Sequence, residues 1–228
     1  MSLRIHFHLV TIFPEIFASY FSSSILKRAQ AAGHIAISTY DLRDWSRDKH
    51  RKVDDSPYGG GAGMVMKVEP FDRCVAAIKK KITRGSQKSP QRLVRVILLS
   101  AKGKRYTQRD VKRLSGYQHL VLLSGRYEGV DERVAKYVAD EELSIGDFVL
   151  TGGEVPTMAI VDSVARLVPG VLQNAESLQR ESHREYGFLE HPQYTKPEVY
   201  QKWKVPKVLL SGDHAKVEEW RQQKSKTE

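Results

Sequence analysis

The sequence predicts an α/β protein built on a parallel sheet. Residues 93–100, 119–124 and 144–150 are continuous apolar runs rather than alternating ones, and strands of that kind are buried on both faces. Each run leads through a basic, glycine or serine loop into a stretch of helical periodicity, the alternation that lays helices over a parallel sheet. With 228 residues, 40% hydrophobic and 28% charged, the chain can bury a core without disulfides or a structural metal.

Each element follows from its local pattern. Residues 4–10 alternate and are rich in branched side chains, a strand. Residues 14–32 carry Ile16, Phe17, Tyr20, Phe21, Ile25, Leu26 and Ala29 at helical spacing, and Gly33 stands where a helix stops. A second strand covers 34–42. Residues 44–63 are polar, basic and glycine-rich, a long loop. Residues 70–81 form a helix with Pro70 in the first turn and Phe71, Cys74, Val75 and Ile78 on one face. After a polar break at 83–91 and the strand at 93–100, Thr107 with Asp110 three residues on makes a capping box for the next helix. The strand at 119–124 precedes a short helix near 130–138. The strand at 144–150 precedes a strong helix at 155–168. Residues 170–197 are polar with few branched side chains, which reads as an interdomain linker. A small strand at 208–210 and a helix at 213–222 follow.

No stretch approaches the ~20 apolar residues of a membrane span, and no charged-then-apolar leader opens the chain, so a cytoplasmic location without a membrane partner is expected. The single cysteine, Cys74, has no internal disulfide partner. Charge is more informative. The net charge is +10, and it is uneven: residues 1–114 hold 23 basic and 9 acidic side chains, and residues 115–228 hold 14 and 18. A field of +14 on one half points to a polyanion such as nucleic acid.

The candidate chemistry lies in loops. Gly59-Gly60-Gly61-Ala62-Gly63 lacks the Gly-Lys-Ser/Thr ending of a P-loop, so it reads as a loop that lets backbone approach something closely. The eight histidines lack the spacing of a zinc enzyme, and His6 and His8, on one face of a strand, read as packing. Asp54-Asp55 reads as a salt bridge with Arg51 or Lys52 rather than a metal site. Leu98-Leu99-Ser100-Ala101, the segment from Gly125 to Gly129 and the segment from Ile145 to Glu154 stand at strand ends. In open parallel sheets such ends hold the ligand, and three loops together suit a flat polar ligand such as an adenosine.

These residues resemble the bacterial tRNA (guanine-N1)-methyltransferase (TrmD) family of the SPOUT superfamily, over nearly the whole chain. The resemblance rests on Thr11-Ile12-Phe13-Pro14-Glu15, Val53-Asp54-Asp55-Ser56-Pro57-Tyr58-Gly59-Gly60-Gly61-Ala62-Gly63-Met64, Gly125-Arg126-Tyr127-Glu128-Gly129-Val130-Asp131-Glu132-Arg133, residues 144–154, Asp162-Ser163-Val164-Ala165-Arg166, Pro192-Gln193-Tyr194-Thr195-Lys196-Pro197 and Leu209-Leu210-Ser211-Gly212. It implies a deep trefoil knot toward the C-terminal strands of the sheet, a rare exception to unknotted topology. It implies a knotted methyltransferase domain at 1–169, a flexible linker at 170–187 and a small, mostly helical tRNA-binding domain at 188–228. It also implies a cytoplasmic homodimer with composite active sites, acting on the anticodon loop to methylate N1 of guanosine 37. The methyl donor is S-adenosyl-L-methionine (AdoMet), and magnesium assists by the same resemblance, although no motif marks a magnesium site.

Carried over by motif, Leu98, Leu99, Ser100, Ala101, Gly125, Tyr127, Glu128, Gly129, Ile145, Gly146, Asp147, Phe148, Val149 and Leu150 line the AdoMet pocket, with Gly152, Gly153 and Pro156 closing it. Arg166 matches the family's arginine near the methyl-transfer centre. Glu181 takes the place of the catalytic carboxylate, where the family more often has Asp, and Glu176 and Glu185 are the alternatives. Phe148 replaces a common Tyr, and Ala101-Lys102 replaces Pro-Gln. Two rival readings are a noncatalytic basic RNA-binding protein, which needs no AdoMet pocket, and a SPOUT methyltransferase for another RNA, which needs neither the Tyr58 loop nor the C-terminal domain.

Overall fold

The computed structural model describes residues 5–83, 93–172, 181–183 and 187–227. The chain divides into two compact units, Met1–Gln173 and Asn174–Glu228.

The first unit is a five-stranded sheet flanked by helices. Its strands are β1 (Ile5–Thr11), β2 (Ile35–Asp41), β5 (Val94–Arg105), β6 (His119–Ser124) and β7 (Glu141–Ser144), in the order β2-β1-β6-β5-β7. Every neighbouring pair is parallel. A short antiparallel pair, β3 (Asp54–Asp55) with β4 (Val65–Met66), carries the glycine-rich loop at its tip.

Two cores explain the continuous apolar runs. Ile5, Phe7 and Leu9 of β1 face one side, with Leu120 and Leu122 of β6 and Ile97 and Leu99 of β5. Helices α2 (Ser24–Ala31) and α5 (Glu154–Ala165) cover that side with Leu26, Ala29, Ile160, Val161 and Val164. Val10, Val96, Leu98, Val121 and Leu123 face the other side, under Phe71, Cys74, Val75 and Ile78 of α3 (Val68–Thr83). Alternate residues of one strand point to opposite faces, so a strand covered twice has no polar face. Burial also pushes the Cys74 thiol up to about 12, so it behaves as a small core hydrophobe.

Several expectations are corrected. The helix predicted over 14–32 is broken into a 3-10 turn (Pro14–Phe17), α1 (Ala18–Phe21) and α2. The hydroxyls of Ser22 and Ser23 donate to the Ser19 carbonyl, and Ser24 takes φ 47°. Serine side chains that bond back to the backbone compete with helix continuation. Gly33 does end the segment, at φ 74°. The basic stretch after residue 100 stays in β5, which runs on to Arg105 with a register shift against β7 between Leu99 and Lys104. The capping box forms on α4 (Gln108–Leu114) as expected. Residues 134–138 form a π-helical turn, Val134–Val138. The strand predicted over 144–150 is instead Glu141–Ser144: the Ser144 hydroxyl donates to the Gly146 carbonyl at 2.8 Å and turns the chain out of the sheet.

Asp55 pairs with Lys67 at 3.0 Å, while Arg51 pairs with Asp41 and Asp44, so the expected Arg51 or Lys52 bridge to Asp54-Asp55 is not the one formed. His119, 111 residues away from His8 in sequence, joins His6 and His8 on one face of β1 and β6. Burial, with His6, His119 and Lys81 nearby, holds His8 down to about 3.

Among its described residues the second unit, by itself, has four two-residue strands, β8 (Phe188–Leu189) paired with β11 (Lys226–Thr227) and β9 (Val199–Tyr200) paired with β10 (Trp203–Lys204), and two helices, α6 (Lys207–Leu210) and α7 (His214–Lys224). The strand predicted at 208–210 is therefore a helical turn. Pro206 presets its entry, and Leu209 N–H reaches the Pro206 carbonyl at 3.0 Å. Asp213 caps α7 by accepting from Lys216 N–H.

Candidate active site

A cavity of about 380 Å³ opens at the carboxyl ends of β6 and β7, beside the middle of β5. Three segments build it: residues 98–102 of β5, 125–130 after β6, and the stretch from 143 to 156 around the end of β7. Fifteen of the seventeen cofactor positions expected from the sequence line it, from Leu98 through Pro156. Gly146 and Asp147 do not. Asp147 points into solvent beside Arg105. Gly146 lies under Phe148: a Cβ there would overlap the Phe148 ring. Phe148, Val149 and Leu150 are exposed large hydrophobics, so the cavity combines an apolar lip with backbone polar groups from three loops. That is the composition of a small-molecule pocket.

The loops are held by groups the sequence reading did not assign. Glu154, in the first turn of α5, is 1% exposed. Its carboxylate accepts from the Thr11 hydroxyl at 2.7 Å and from Arg126 Nε at 2.9 Å. The Arg126 guanidinium lies 4.9 Å from the centre of the Phe13 ring. A buried carboxylate requires a partner of this kind, and the helix N-terminus favours it further. Thr11 and Phe13 thus act as anchors for the 125–130 loop. Gly153 packs where a Cβ would come within 2.6 Å of the Ser124 Cα, and its N–H donates to the Gly125 carbonyl at 2.9 Å. The glycine-rich hairpin joins the same loop: Glu128 N–H reaches the Met64 carbonyl at 3.1 Å, and Met66 N–H the Gly129 carbonyl at 3.0 Å. The close approach expected of that loop is therefore to residues 128–131.

Lys102, Arg126, Val130, Leu143, Ser144 and Thr151 also line the cavity and were not assigned from the sequence. For Arg126 a signal was present. Glu154 opens a largely apolar helix, and an acid so placed calls for a cation nearby. Lys102 forms an ion pair with Glu132 at the cavity edge.

The catalytic candidates lie in different units. Arg166 directly follows α5 in the first unit, half-buried, with its N–H on the Asp162 carbonyl at 3.2 Å. Asp162 accepts from the Tyr20 hydroxyl at 2.6 Å, and Ser163 bonds the Tyr106 hydroxyl at 2.7 Å. Glu181 belongs to the second unit, half-buried at the start of a bend over 181–183. That bend is tied down by His183 N–H to the Phe188 carbonyl at 2.6 Å and by Glu190 N–H to the Ser182 hydroxyl at 2.9 Å. Glu176 and Glu185 lie outside the described residues.

Residues 5–228 match the family described as tRNA (Guanine-1)-methyltransferase TrmD. A tRNA (guanine-N(1)-)-methyltransferase of Dictyoglomus turgidum is 51% identical over 95% of this chain and 83% of its own length. One from Clostridioides difficile is 48% identical over 96% of this chain and 91% of its own. The crystal structure of tRNA (m1G37) methyltransferase from Aquifex aeolicus superposes with a TM-score of 0.77 at 35% identity, covering 96% of this chain and 88% of that one. With the motifs of the cavity loops in place and the family match running from β1 to the C-terminus, the chain belongs to the tRNA (guanine-N1)-methyltransferase family TrmD.

Proposed function

We propose that this protein methylates N1 of guanosine 37 in tRNA, with AdoMet as methyl donor held in the cavity at the ends of β6 and β7 beside the middle of β5. The observation that carries the reading is the convergence of three loops on one cavity in a chain of this family. The cavity fits the donor. Its volume is within the usual ligand range of about 300–1,000 Å³, and the close approaches at Gly146 and Gly153 leave no room for a side chain. When bound, AdoMet supplies a methyl group activated by a positively charged sulfur.

The protein's own groups do the rest. Guanine N1 carries a proton, and its lone pair is not free to attack. Glu181 takes that proton as the methyl moves, and Arg166 stabilises negative charge developing on O6. The exposed lip of Phe148, Val149 and Leu150 shields the donor from water and presents an apolar edge to a base lifted from the anticodon-loop stack. The reading includes a deep trefoil knot toward the C-terminal strands of the sheet. It includes a domain at 1–169, a linker at 170–187 and a tRNA-binding domain at 188–228. It also includes a two-fold symmetric homodimer, which lets Glu181 of one chain serve the cavity of the other, and a cytoplasmic location.

Glu181→Gln tests the reading. The variant keeps size and hydrogen-bonding reach but cannot accept the proton as a carboxylate does. The single-turnover rate is expected to fall about 10²–10⁴-fold with AdoMet affinity unchanged, and Glu181→Asp is expected to stay near wild type. A wild-type rate in Glu181→Gln would remove the base from this position.

A further inference from the structure

Three histidines meet on the sheet face that packs under α3. His6 and His8 are two apart on β1, so their side chains share a face. His119 opens β6 and is the parallel register partner of His6. The His6 and His8 rings stack with centroids 4.1 Å apart, and His8 Nε2 lies 3.1 Å from His119 Nδ1. One ring nitrogen from each of the three lies within 4.8 Å of the others. Among the described residues this is the one such group of three or more potential metal ligands.

We propose that His6, His8 and His119 form a binding site for a zinc-class transition-metal ion that clamps β1 to β6. Zinc binds imidazole nitrogen at about 2.0–2.1 Å, and tetrahedral geometry then spaces the ligand nitrogens about 3.3 Å apart. The His8–His119 spacing of 3.1 Å is already close to it, and the His6 ring nitrogen lies within 4.8 Å of both. Three histidines with a fourth, open position are a common zinc arrangement. An all-nitrogen donor set suits zinc, nickel or copper and does not suit magnesium, which requires oxygen.

The surroundings are those of a metal site. His8 Nδ1 shares a 3.0 Å hydrogen bond with the Tyr40 hydroxyl, and His6 Nε2 a 2.8 Å bond with the Ser38 hydroxyl. Ring nitrogens held in this way fix the orientation and tautomer of a metal-binding imidazole. Both partners come from β2, so the ion would tie three adjacent strands. His6 and His119 are half-buried and His8 is 2% exposed, which leaves an entry path on one side. Lys81, in the last turn of α3, is the charged group whose field reaches His8, and it opposes a cation. The site is structural rather than catalytic. His119 begins β6 and the cavity starts just past its end, about 20 Å away at about 3.3 Å per residue.

The test uses the full chain, freed of metal with a chelator. It is titrated with Zn²⁺ by calorimetry and with Co²⁺ by visible absorption, and thermal unfolding is followed in parallel. The expected result is one ion per chain, d–d bands of a low-coordinate Co²⁺–imidazole complex, and a raised unfolding temperature with AdoMet affinity unchanged. Tyr40→Phe is expected to weaken Zn²⁺ by about 10-fold or more, His119→Asn to abolish the bands, and Lys81→Gln to tighten binding. His183→Asn, a histidine outside the cluster, should bind as wild type. Circular dichroism establishes whether His119→Asn is folded; if it is not, the wild-type Co²⁺ spectrum and Tyr40→Phe decide. Absence of Co²⁺ bands in the wild type, or Zn²⁺ affinity unaffected by both Tyr40→Phe and His119→Asn, would overturn the site and leave the cluster as packing.

Discussion

A single added methyl group at Gly146 would collide with the Phe148 ring, and that ring lines the cavity. Gly146→Ala is therefore expected to weaken AdoMet by at least tenfold, read by calorimetry, by displacing Phe148. The unfolding temperature of the ligand-free protein should hardly change, because the moved ring is already half in solvent. Unchanged affinity would show that Phe148 can swing aside at no cost. Charge placement at the single-residue level also gives a pH signature. Burial raises the Asp110 carboxyl, but hydrogen bonds from Lys104, Thr107 and Arg113 outweigh it and hold it low. Burial likewise raises Glu141, and Arg113 and Arg95 outweigh it. A carboxyl whose folded pKa is depressed contributes stability above its unfolded value, about 4, and loses it as pH falls through the folded value. Arg113→Leu should thus cost about 1–2 kcal/mol near neutrality. That gap from wild type should shrink as pH falls below about 4. Urea unfolding of both proteins across pH 3–7 measures it, and a pH-independent gap would contradict the assignment.

At the scale of elements, the hold of β1 on the cavity loops runs through one buried ion pair. Arg126 is 20% exposed and Glu154 2% in their side chains. Arg126→Leu leaves the Glu154 carboxylate with only the Thr11 hydroxyl among its partners given above. Removing one member of a buried pair costs about 3–5 kcal/mol. Chemical denaturation should show a loss of that order, and AdoMet binding should weaken with it because the 125–130 loop loses its anchor. The double variant Arg126→Leu/Glu154→Gln should recover part of the stability, since no charge is then stranded. Elements were legible in the sequence where packing and local signals agreed. The capping box of α4, the glycine stop at residue 33 and the apolar strands at β5 and β6 are of that kind. The errors share a cause. Residues 145–150 are as apolar as a buried strand, but they pack around a cavity rather than beside a neighbour, and periodicity cannot tell the two apart. The 14–32 helix has a continuous stripe, yet Ser22 and Ser23 bond back to the Ser19 carbonyl, a side-chain effect that no apolar count registers.

For the whole molecule, the uneven charge predicts a steep salt response of tRNA binding. The first 114 residues carry +14 and the remainder −4, so RNA contacts should fall on the basic part. The logarithm of affinity should decline against the logarithm of salt with a slope of about −0.7 to −0.9 per phosphate contact. Filter binding across salt concentrations gives the slope, and a flat response would mean that the basic surface does not meet RNA. Sequence by itself determined the class of fold, the positions of the loops that line the cavity and the family, because each is written in contiguous residues: apolar runs, caps, and motifs of four to twelve amino acids. It did not determine which side chains support those loops. Thr11, Phe13, Arg126 and Glu154 come from three distant segments, and His119 joins His6 and His8 only through the register of β1 on β6. Contacts of that range depend on strand order, and strand order is decided by how two apolar faces are covered at once. That is a property of the folded chain, not of any window along it.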